Sequence, residues 1–86
     1  MEIKVRKATP DDIQKMSGLP TWGCEISTFD WFYDSEEHCY LTEGEVTVEY
    51  GGTSTSFGAG DYVILPQGLK CVWKVSKAVK KHYQFM

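Results

Sequence analysis

The side chains of this 86-residue chain that could do chemistry are few: three cysteines, two histidines and a set of carboxylates crowded into the middle. Glu37, His38 and Cys39 are consecutive. On a strand Glu37 and Cys39 share one face with Leu41, and His38 points to the other. Cys71 and Trp73 share a face by the same alternation. His82 stands near the end with no motif around it. Cys24, Cys39 and Cys71 are an odd number without the spacing of a disulfide scaffold. A buried free cysteine ordinarily acts as a small hydrophobe, and neither Cys39 nor Cys71 has an evident histidine base beside it.

These residues must be positioned by one small domain, residues 1–86. So short a chain leans on large apolar side chains, and three Trp, five Tyr and four Phe supply them. The net charge of −3 disfavours nucleic acid as a partner. Charge is also segregated: nine acidic residues and no Lys or Arg lie between Glu25 and Asp61, while the two ends hold all nine basic residues. Acidic middle strands paired with basic terminal ones account for that pattern. No apolar run approaches the ~20 residues of a membrane span, and charge follows Met1 directly. A cytoplasmic protein with reduced thiols is expected, and import after removal of a transit peptide is compatible with that reading.

Along the chain, residues 2–7 alternate as an edge strand. Thr9, Pro10, Asp11 and Asp12 read as a capped helix start, and Gly18 and Pro20 stop that helix. Strands are predicted over 22–27, 28–33 and 38–42. Glu43-Gly44-Glu45 reads as a hairpin turn before a returning strand over 46–50. Gly51-Gly52 turns the chain into 53–57, and Gly58 to Asp61 turn it into the apolar strand 62–65. After Pro66-Gln67-Gly68, two strands over 69–75 and 79–85 complete the set. Seven or eight short strands joined by tight turns make an all-β sandwich or small barrel.

Two stretches resemble the paired motifs of the cupins. Gly60-Asp-Tyr-Val-Ile-Leu-Pro66-Gln-Gly68 has the second motif's glycine, five residues and Pro-x-Gly. Glu37 stands six residues ahead of Gly44, as the first motif's glutamate does. The surrounding residues, Trp31 to Glu37, Trp73-Lys-Val and Lys81-His-Tyr, resemble the small single-domain cupins grouped with (S)-ureidoglycine aminohydrolase and the ethanolamine-utilisation cupin. The resemblance spans roughly residues 20–84. It implies a jelly roll, two antiparallel sheets closed into a tapered barrel with an open mouth and one short N-terminal helix. In that setting Gly44 and Gly60 are expected where the chain reverses tightly, and Gly68 at a turn with positive φ.

The resemblance also says what is missing. The two histidines that precede the family's glutamate fall at Trp31 and Tyr33, or one earlier at Asp30 and Phe32. The second motif's histidine falls at Cys71. Of the usual ligands only Glu37 remains, with Cys71 as a substitute, and two donors are too few for a metal site. The expected interior combines Glu37, Cys39, Cys71 and Trp73 with one or both of Trp31 and Tyr33. A carboxylate among aromatic rings is costly to ionise, so its pKa should rise unless an indole N–H or tyrosine hydroxyl bonds to it. Such a carboxyl group could be a general acid or base, and Glu37 is the candidate catalytic residue. Equally, it could do no more than orient the barrel wall.

Three functions follow. The first is a pocket with no metal or cofactor that binds a small, partly planar or cationic molecule through Trp31, Tyr33, Cys39, Cys71 and Trp73 around Glu37. The second is a metal-dependent enzyme like the aminohydrolase, which the lost histidines oppose. The third is an interaction module, a homodimer formed through the edge strand near Ile3–Val5.

Overall fold

The computed structural model describes residues 1–86. Its elements in chain order are β1 (Lys4–Lys7), α1 (Pro10–Met16), β2 (Thr21–Cys24), β3 (Ser27–Phe32), β4 (Glu37–Tyr50), β5 (Thr53–Gly58), β6 (Asp61–Leu65) and β7 (Lys70–Phe85). The helix begins where its residues say it should. The Thr9 hydroxyl accepts from the Asp12 N–H at 3.2 Å while the Asp12 carboxylate accepts from the Thr9 N–H at 2.8 Å, a reciprocal cap. Ser17 ends it, and α1 buries Met16 alone. No helix is long and apolar enough to cross a membrane.

All seven strands pair antiparallel, in the order β1-β6-β4-β7-β2, with β3 added to β7 and β5 to β4. The fold is a jelly roll with one short helix. Its two layers are not separate sheets, however, because β4 and β7 each run through both. Glu37–Tyr40 of β4 lie between β6 and the last residues of β7, whereas Glu45–Tyr50 lie between β5 and the first part of β7. Nor do hydrogen bonds close the barrel, since β1 and β2 are the free ends of the strand order. β1 is an edge strand, as its alternation suggested.

Two expected chain breaks are therefore absent. Glu43-Gly44-Glu45 is no hairpin turn: β4 continues through it, and register shifts between Leu41 and Val46 bend the strand from one layer to the other. Gly44 takes φ +97° there, and a Cβ on it would stand 2.4 Å from the Ala78 carbonyl oxygen. A bulge and a turn demand the same residue type, so composition alone cannot tell them apart. Likewise β7 is one 16-residue strand rather than two, because its partner bends alongside it. The turn expectations for Gly60 and Gly68 hold, with φ +92° and +87°.

The layers enclose Leu41, Val46, Val48, Phe57, Val63, Leu65, Leu69, Trp73 and Val75, all buried. Outside, the segregated charges meet as expected: Glu49 bonds Lys74 at 2.9 Å and Glu45 lies 3.4 Å from Lys77, both bridging β4 to β7.

Candidate functional site

At the end of the barrel where β4 begins and β7 ends, the inner faces of β2, β3, β4 and β7 do not meet. They leave a cavity of about 240 Å³ lined by Trp22, Phe29, Trp31, Tyr33, Glu37, Trp73, Lys81, Tyr83 and Phe85. The pleat puts Glu37 on this inner face at the first position of β4, and it is 2% exposed. Val79, Lys81, Tyr83 and Phe85 share a face of β7 by alternation, so Lys81 is carried inward among apolar neighbours and is 6% exposed.

Its Nζ donates to Glu37 Oε2 at 2.6 Å. The same ammonium stands 4.6 Å from the ring centroid of Trp73 and 5.0 Å from that of Trp22. A cation over an indole face is attracted by the ring's quadrupole, the more so where water is excluded. Two buried charges thus neutralise each other inside an aromatic box. Phe29 stacks on Trp73 at 6.1 Å, and Trp22 and Phe57 meet Trp73 edge-on at 6.2 and 5.7 Å. The Trp73 Nε1–H is buried without an acceptor, so the expected indole donor to the carboxylate is not used. Burial, and then the charge of nearby Glu37, holds the Tyr33 hydroxyl far above its usual pKa, as a neutral group.

Of the residues singled out from sequence, Glu37, Trp31, Tyr33 and Trp73 line this cavity. Trp31 stands at its mouth, 48% exposed. The two cysteines do not line it. Cys39 is fully buried in the core, with its thiol pushed up to about 12 by burial. Cys71 is buried in the core next to a wider depression beside the β4–β5 turn, its thiol directed at the Trp31 carbonyl oxygen at 3.7 Å and raised to about 11 by burial and then by Glu37. Both nevertheless stand beside lining residues, Cys39 opposite Tyr83 and Cys71 opposite Trp31; their short side chains are taken up in the core cluster instead.

Sequence reasoning missed Lys81, Trp22, Phe29, Tyr83 and Phe85. A signal for Lys81 was present: one cation inside an alternating apolar series. His38 faces outward as alternation required, with Nδ1 2.7 Å from the Tyr62 hydroxyl and Nε2 2.8 Å from Glu36. His82 is held by the Leu19 carbonyl at 2.9 Å and stacks on Tyr40. Neither histidine serves the cavity.

Residues 13–83 match the model of the EutQ-like cupin domain. The chain is a EutQ-like cupin. A DUF861-family protein of Thermotoga maritima is similar to this cupin at 41% identity, over 99% of this chain and 100% of that one, with a TM-score of 0.94. The Clostridium difficile EutQ protein is 19% identical, with a TM-score of 0.71 over 96% of this chain and 66% of its own. A putative ethanolamine utilization protein Q of Salmonella typhimurium is 18% identical, with a TM-score of 0.67 over 96% and 68%; these two share the fold. No curated protein matches the cupin.

The metal that many cupins hold does not fit these residues. No three His, Cys, Asp or Glu side chains converge anywhere in the chain. The remaining family ligand, Glu37, already has the Lys81 ammonium bonded to it. A divalent ion there would meet a cation, one carboxylate and indole rings, which is not a ligand set for any common metal.

Proposed function

We propose that this cupin binds a small, uncharged, planar molecule in the aromatic cavity, with Glu37 and Lys81 as its polar contacts and no resident metal. The buried Glu37–Lys81 pair carries the reading. A charge moved from water into an apolar site is costly unless compensated. Here the compensation is internal, so a ligand bringing net charge would leave one charge unpaired. Of the planar or cationic ligand expected from sequence this reading keeps the planar one, because Lys81 fills the place a cationic ligand would take over the indole faces. The volume, about 240 Å³, is below that of sites for drug-sized ligands, roughly 300–1,000 Å³, and suits a single ring with few substituents. Glu37 acts in this reading as a binding group; general acid or base work would require Lys81 to leave it.

All three tryptophans line the cavity, so intrinsic fluorescence reports on its contents. Titration with neutral, anionic and cationic single-ring compounds, with thermal stability followed in parallel, tests the reading. Neutral rings should quench or shift the emission and raise the melting temperature. Silence from all neutral rings, or a preference for the ions, would sink it.

Self-association is a second reading. Ile26 and Phe32 are 70% and 58% exposed at the ends of β3, and β3 pairs with β7 alone, so its other edge is open to a second copy. Sedimentation as a monomer at high concentration would dispose of it.

A further inference from the structure

The polar contents of the cavity specify more than neutrality. Resting on the binding reading above, we propose that the cavity selects planar rings bearing a cis-amide edge, an N–H and a C=O held side by side as in a lactam or cyclic imide. Lys81 Nζ would donate to the carbonyl oxygen and the Glu37 carboxylate would accept the N–H.

Both members of the pair keep unused hydrogen-bonding capacity. An ammonium has three N–H donors and a carboxylate several lone-pair positions. The bond between Lys81 and Glu37 Oε2 uses one of each, and the nearby Tyr33 hydroxyl takes at most one more acceptor position. Beyond that bond the Lys81 ammonium faces the rings of Trp22 and Trp73, and a π face is a weaker partner than an oxygen. The donor and the acceptor are 2.6 Å apart, and both belong to the lining of one cavity. Adjacent donor and acceptor groups call for a partner with adjacent acceptor and donor on one edge.

An open-chain secondary amide, being trans, presents its N–H and C=O on opposite sides. A small ring forces them cis, onto the same edge. The ring itself would lie among Trp22, Phe29, Trp31 and Tyr83, whose rings favour a flat, polarisable partner. Both hydrogen bonds would have an ionised protein partner, which makes them stronger than neutral ones. A carboxylate ligand would place anion against Glu37, and an amidinium would place cation against Lys81, so the same pair that accepts the cis-amide repels its charged analogues.

The probes are 2-pyridone and N-methyl-2-pyridone, titrated into the wild-type cupin by tryptophan fluorescence and calorimetry, with toluene as an apolar ring of similar size. N-methylation removes the donor and leaves Glu37 facing a methyl group, so 2-pyridone should bind about tenfold to a hundredfold more tightly than its N-methyl form. In Glu37→Gln that ratio should shrink. Because the contrast between the two pyridones is measured on the wild type, it holds even if the variant does not fold. Equal binding of the pair, or tighter binding of the N-methyl form, overturns the proposal while leaving the cavity a binding site. Toluene binding without either pyridone has the same meaning. If none of the three binds, the proposal and the binding reading fall together.

Discussion

β4 and β7 are joined by three Glu–Lys bridges made of the same two residue types, yet the bridges belong to different worlds. Glu49–Lys74 and Glu45–Lys77 lie on the outer face, where every one of the four side chains is about half exposed or more. Glu37–Lys81 lies on the inner face, with side chains 2% and 7% exposed. Outside, water and salt screen the attraction and ordering two long side chains costs entropy, so each bridge contributes little. Inside, screening is lost, and each charge depends chiefly on the other, with only indole faces around the ammonium and the Tyr33 hydroxyl near the carboxylate besides. The pleat, not the residue type, therefore decides whether a Glu–Lys pair is decoration or a constraint.

The comparison breaks most directly at Lys81. Lys81→Met should destabilise the fold by about 3–5 kcal/mol in urea unfolding, because Glu37 is left charged and unpaired. Replacing both partners, Glu37→Leu with Lys81→Met, should recover most of that loss, since apolar pairs of similar volume replace buried ion pairs at little cost. A single variant within ~1 kcal/mol of wild type would show that the inner pair is no different from the outer ones.

The thiols sharpen the same contrast. At pH 8 Cys39 and Cys71, raised to about 12 and about 11, should be alkylated at least about a hundredfold more slowly than an ordinary thiol. Cys24 is the partly exposed one of the three, and mass spectrometry of iodoacetamide-treated folded protein should find it modified first. Gly44→Ala tests the bend that separates the two environments. With φ +97° and a backbone oxygen 2.4 Å from the new Cβ, it should cost more than about 1 kcal/mol.

Smaller effects belong to the outer face. Asp12 is held well below the usual carboxylate range, first by its hydrogen bond to Arg6 and then by the Thr9 N–H. A depressed folded pKa contributes stability above the unfolded value, about 3.9, and loses it as pH falls through and below that value. Asp12→Asn should therefore flatten the acid limb of the stability–pH curve. Least of all, Lys74→Ala and Lys77→Ala should each change stability by less than about 1 kcal/mol, and raising the salt concentration should erase the difference.

Much of the fold was legible because its signals are local. The Thr9 to Asp12 cap, the turns at Gly51, Gly60 and Gly68, and the apolar strand before Pro66 each follow from a few neighbouring residues. The false hairpin at Gly44 shows where that ends: the need for a glycine was readable, but whether the chain reverses or only bends depends on a partner strand more than thirty residues away. The site divides the same way. The inward direction of Glu37 and the outward direction of His38 are consequences of alternation, whereas the shared face of Cys39 did not bring it to the cavity.

A small antiparallel β-fold of the cupin type, the in–out sense of its strand residues and the absence of histidines at the family's motif positions could all be read from the order of the residues. What Glu37 meets was settled by the packing of the strands. Its partner is 44 residues away in sequence, brought near because β7 runs unbroken past β4 and both bend at the same place. Alternation is a property of one strand, but the pairing of two buried charges is a property of how two strands share a layer.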